Sequence, residues 1–147
     1  MNLRFEIKNL PPMPRNRSHR VAGKMLIKTD LARAFEQDLT KRLEVHRDIF
    51  RVFKSMVHLD QHYLSVVYRI HTPAGSLFTK DGHISLRAVD VDAHKVFQDV
   101  IFKSLGLDDK LIRDAQYITP VSEDENWNYI VEIRIRDIRE LHGSDLL

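Results

Sequence analysis

The chain has 147 residues, is 43% hydrophobic and 30% charged, and carries no cysteine. That is the length of one domain with apolar material enough for a core, and the missing cysteines exclude a disulfide scaffold, a zinc–thiolate site, an iron–sulfur cluster and a cysteine nucleophile. The formal net charge of +2 conceals an uneven distribution, because residues 1–28 hold seven bases (Arg4, Lys8, Arg15, Arg17, Arg20, Lys24, Lys28) against Glu6 alone.

No window approaches 18 consecutive apolar residues, and the N-terminus lacks the apolar region of a secretion signal, so a soluble cytosolic chain with no membrane span is expected. Leu3, Phe5 and Ile7 alternate with Arg4, Glu6 and Lys8, a first strand with one wet face. Leu10-Pro11-Pro12-Met13-Pro14 ends it, since proline has no N–H for a ladder. Arg15 to Lys28 has no acid and no clean period and reads as a basic loop. Thr29-Asp30 offers a helix start, with Leu31, Phe35, Leu39 and Leu43 along one face to about Ile49; that stripe is core or a dimer interface. Leu64, Val66, Tyr68 and Ile70 mark a second strand, followed by a loop bracketed by Thr72-Pro73-Ala74-Gly75 and Lys80-Asp81-Gly82.

From Ile84 the alternation resumes, with Leu86, Ala88, Asp90 and Asp92 on the same face as Ile84. A helix is expected from Ala93 to Leu105 on Val96, Phe97, Val100, Ile101 and Leu105, with Gly106 as its stop. Ile112 to Val121 reads as a strand closed by Pro120, and Trp127, Tyr129, Val131, Ile133 and Ile135 as the last strand, with Trp127 in the core. The order implies a single α/β (or α+β) domain over 1–147, a mixed sheet with two main helices packed on it.

Residues 81–114 hold seven acids, all Asp, and the tail from 121 onward holds seven acids against three Arg. Asp90 and Asp92, two apart on a strand, would point the same way with roughly 7 Å of rise between them. Like charges there cost free energy unless a cation lies between them. Asp92 also suits the N-cap of the next helix. Lys95, in that helix's first turn, opposes the dipole and calls for an anionic partner, either the carboxylates or a phosphate. Asp108-Asp109 after the Gly106 stop is also common turn chemistry. Carboxylate clusters suit hard divalent cations and a basic leader suits phosphate backbones; solvated faces are the plainer alternative for both. Eight histidines show no paired ligand spacing, and no P-loop, GxGxxG or Ser-His-Asp signature competes.

The run Asp90-Val91-Asp92-Ala93-His94-Lys95, then Asp99, Leu107-Asp108-Asp109 and Asp114, resembles the RusA-like Holliday-junction resolvases of phages and bacteria. Leu10-Pro11-Pro12 with Asn16-Arg17, and the final strand around Val131, resemble that family too. The resemblance implies that Asp90, Asp92 and Asp109 are metal-binding catalytic aspartates, with Asp108 a helper at the metal and Lys95 the catalytic lysine. It implies a homodimer that cuts branched DNA, four-way junctions in particular, in recombination and repair. The cofactor would be Mg²⁺, with Mn²⁺ able to substitute, and no organic cofactor. This chain has Ala93 where the family has Asn, and its Asp92–Lys95 spacing is one residue shorter.

The chemistry suits the residues. A bound Mg²⁺ activates the attacking water and stabilises the leaving alkoxide, a lysine stabilises charge on the phosphoryl oxygens, and Arg15, Arg17, Arg20, Lys24 and Lys28 would neutralise DNA phosphates. The alternatives are a catalytically impaired branched-DNA-binding protein of the same fold and an acidic, metal-binding structural domain with no nucleic-acid partner.

Overall fold

Strand β1 (Asn2–Ile7) follows the alternation of its residues, burying Leu3, Phe5 and Ile7 and exposing Asn2, Arg4 and Glu6. The structure is a computed structural model that describes residues 2–12, 19–22, 25–28, 30–85 and 91–142, with backbone alone for 19–22, 25–28 and 91–93. After β1 come a short hairpin, β2 (His19–Ala22) and β3 (Met25–Lys28), then helices α1 (Asp30–Leu43) and α2 (Arg47–Met56). Strand β4 (His62–His71), the single turn α3 (Ala74–Leu77), helix α4 (Val91–Leu105), and strands β5 (Ile112–Ile118) and β6 (Asn128–Asp137) complete the order.

The main sheet runs β1-β6-β4-β5. β6 is antiparallel to both neighbours, whereas β4 and β5 are parallel. A parallel pair needs a long crossover, and α4 supplies it. One face of the sheet is buried, through Leu3, Phe5 and Ile7, Leu64, Val66, Tyr68 and Ile70, and Tyr129, Val131 and Ile133. Leu39 and Leu43 of α1, Phe50 and Phe53 of α2, and Phe97, Ile101 and Phe102 of α4 join the same core. The α+β class with a mixed sheet is what forms. Among the described residues no helix is long and apolar enough to cross a membrane.

Four local expectations change. The first helix is not continuous to Ile49: it stops at Leu43, and a 3₁₀ turn at Glu44–His46 re-aims the chain into α2. The re-aiming sets the rings of His46 and Phe50 against Phe5, at 5.5 and 5.0 Å. Leu31, expected in the buried stripe, is 48% exposed, and Ala32 is buried beside it. The expected basic loop contains the β2–β3 hairpin, in which Ala22 pairs with Met25 and only Gly23-Lys24 intervene. Two-residue hairpin connections containing glycine are common. Finally, Val91 and Asp92 belong to α4, not to a strand; of the expected Ile84–Asp92 strand, the described part shows only an isolated bridge between Phe78 and Ile84.

The C-terminal end of α4 forms as its glycine demands. Gly106 sits at φ +73°, its N–H donates to the Lys103 and Phe102 carbonyls, and the Leu107 N–H donates to the Phe102 carbonyl at 3.2 Å, the Schellman arrangement. Gly106→Ala is expected to lower stability by about 1–2 kcal/mol, the cost of a Cβ in the left-handed region, read as a fall in urea midpoint at unchanged m. The new methyl would also approach the Lys54 Nζ, at 2.8 Å, a flexible side-chain end that can swing away.

Candidate functional site

The β4–α4–β5 crossover fixes where α4 begins. Tyr68 and Tyr117 are register partners near the carboxyl ends of β4 and β5, and their rings stack at 5.0 Å. The His94 ring stacks on Tyr117, also at 5.0 Å, and Phe97 packs edge-on to Tyr68 and flat on Tyr129. This aromatic column holds the first turns of α4 over the carboxyl end of the parallel pair, the end at which α/β sheets bind ligands.

Asp92 lies in that first turn, where the helix dipole favours a carboxylate. Lys95 follows, exposed. Asp90 lies outside the described residues. Residues 91 and 92 are helical, so Asp92 is not on the strand expected for it. His94 is half-buried in the aromatic column.

The second acidic group follows the helix. From Asp92 to Leu105 the helix climbs about 20 Å, and the Asp108-Asp109 pair comes after it. Asp108 Oδ1 accepts the Lys110 N–H at 2.9 Å and caps the 3₁₀ turn Asp109–Leu111. Asp109 is half-buried and close enough to bear on Tyr68. Burial pushes the Tyr68 phenol well above its ordinary value, and Tyr117, Asp109 and Asp99 raise it further; its hydroxyl donates to Gln98 Oε1 at 2.8 Å. Asp114, on β5, accepts from Ser65 Oγ at 3.1 Å.

Three acids of the tail, Asp124, Asp137 and Glu140, are engaged within the fold. Asp124 accepts from Ser122 Oγ, the Asn126 N–H and Asn128 Nδ2, bonds that pull its carboxyl down to about 2. Asp137 is held at about 2 by hydrogen bonds from Arg139, and Glu140 is lowered by Arg136. Among the described residues no three His, Asp or Glu side chains form a group that would hold a metal ion. Of the basic leader, Arg20 lies on β2 and Lys28 on β3, while Arg15, Arg17 and Lys24 lie outside the described residues.

No protein-family model matches the chain, and no curated protein matches it. Its likeness to the resolvases stands on the order of its own residues.

The hard carboxylate oxygens of Asp90 and Asp92 suit Mg²⁺, which is commonly held by one or two carboxylates and completes its shell with waters and substrate phosphate.

Proposed function

We propose that the chain is a magnesium-dependent endodeoxyribonuclease that cuts branched DNA, four-way junctions in particular, as a cytoplasmic homodimer. The supporting observation is the first turn of α4, which sets Asp92 and Lys95 at the carboxyl end of the parallel β4–β5 pair, directly after Asp90. Asp90 and Asp92 would hold the ion, which when bound supplies an activated water and charge neutralisation at the leaving oxygen. Lys95, three residues after Asp92 in α4, is exposed and would stabilise charge that builds on the non-bridging phosphoryl oxygens. The aromatic column under His94 keeps that turn in place while the DNA is bound. Arg15, Arg17, Arg20, Lys24 and Lys28 would neutralise DNA phosphates.

The test is incubation of a labelled four-way junction with Mg²⁺ or Mn²⁺, alongside binding across a salt series. Cleavage is expected with either metal, and neutralising Arg15, Arg17 and Arg20 together should flatten the log–log salt slope by about 3, one unit for each lost phosphate contact. Binding without cleavage in every divalent metal would leave a branched-DNA-binding protein. No salt-dependent binding would leave a structural domain.

A further inference from the structure

The last turns of α2 and α4, with the segments that follow them, enclose a hollow of about 550 Å³, within the size range of ligand sites. Its floor is aliphatic. Val57, Leu107 and Leu111 are half-buried there and pack against the core, and Leu59, 69% exposed, stands at the edge. Three cations surround that floor: Lys54 from the last turn of α2, Lys110 in the 3₁₀ turn and Arg113 at the start of β5. Lys54 reaches across to the end of α4, where its Nζ lies over Gly106. All three cations are exposed, and among the described residues none is ion-paired with a carboxylate. Asp108, the acid on the rim, is turned to the 3₁₀ turn that it caps.

We infer that this hollow docks a short segment of a protein partner in which acidic residues adjoin apolar ones. The cations take the carboxylates, Arg113 with a planar fork suited to bidentate pairing, and the floor takes the apolar side chains. Like charges around one hollow repel, and an anion between them relieves the cost. A phosphate would serve the cations equally, so the floor decides the occupant. Single-stranded nucleic acid sets its bases on aromatic rings, whereas the described residues of this lining include no aromatic one. A purely acidic peptide would leave Leu59 in water, as it is in the free chain. A segment that carries both kinds of residue matches both parts of the surface, with the rim charges steering its approach. Residues 143–147 of this chain, Gly-Ser-Asp-Leu-Leu, have the same chemistry and are the competitor for the site. The inference does not rest on the nuclease reading: a chain that cuts no DNA keeps this surface.

The experiment is fluorescence anisotropy of a labelled peptide, three aspartates followed by two leucines, titrated with the full chain. Saturable binding is expected, weakening as salt rises. Lys110→Glu with Arg113→Glu should weaken it by at least about tenfold, since two exposed attractions become repulsions. Leu59→Ser should weaken it by about fivefold to tenfold, the loss of part of one leucine's burial. All three positions are exposed, and native circular dichroism checks that each variant folds. A peptide with serines for its leucines, and one with asparagines for its aspartates, should each bind more weakly by a similar factor. Absence of saturable binding to the wild-type chain would overturn the inference, as would binding indifferent to both sets of substitutions. Binding that appears only when Leu146 and Leu147 are both replaced by serine would give the hollow to the chain's own segment and overturn a separate partner. Displacement by a single-stranded oligonucleotide, with Leu59→Ser without effect, would make it a nucleic-acid contact and overturn the inference too.

Discussion

Asp90→Asn is expected to abolish junction cleavage, by about 10³-fold or more, while junction binding changes by no more than about twofold. A factor of 10³ corresponds to about 4 kcal/mol of transition-state stabilisation, which lies within what a bound metal contributes as Lewis acid and source of hydroxide. The amide keeps the shape of the carboxylate and loses its charge, so the ion is lost without disturbing α4. Binding should survive because, on the proposed function, the contacts that hold DNA would come from the basic leader, seven bases against one acid over residues 1–28, and removing a negative charge near phosphate does not weaken such contacts. Asp92→Asn should behave in the same way. Lys95→Ala should cost about 10²-fold, the scale of one lost electrostatic stabiliser, and leave metal affinity unchanged. Single-turnover rates on a labelled junction at saturating Mg²⁺, with binding measured separately, distinguish these outcomes. If Asp90→Asn cleaves at the wild-type rate, the Asp90–Asp92 pair is not the metal site.

The strands β1, β4 and β6 were legible because the sheet buries one face and leaves the other half-wet, so every second residue had to be apolar. Helix α4 and its Gly106 stop were legible for the same kind of reason, a period of 3.6 closed by a left-handed residue. The break between α1 and α2 was not. Val45, Ile49 and Val52 carry the apolar pattern on past Leu43 with no glycine or proline, and only the packing of His46 and Phe50 on Phe5 decides where the chain turns. The hairpin was hidden by its basic side chains, which read as solvated loop although Gly23-Lys24 stands between two short segments that pair. At the candidate site, chain order was enough to set Lys95 in the first turn of a helix, but not to show that this helix begins at Val91 and takes in Asp92. Nor could it show the stack of His94, Tyr117 and Tyr68, or the Tyr68–Gln98 bond, whose members come from three separate elements.

Phe53→Ala should cost about 3–5 kcal/mol of stability, the range for deleting a buried aromatic ring and leaving its cavity. Phe53 is fully buried, and it lies in the cluster that joins α2 to the sheet and to Phe102 and Leu105 of α4. A domain of this size has about 5–15 kcal/mol in total, so the variant should unfold at much lower urea with the slope of the transition unchanged. Val52, the preceding residue, is rotated by about 100° on the helix and is half exposed. Val52→Glu should fall within about 0.5 kcal/mol of wild type, as exposed substitutions do. Adjacent residues thus separate the two faces of α2, with one change felt in folding and the other not. A cost below about 1 kcal/mol for Phe53→Ala would mean that α2 does not pack over the sheet.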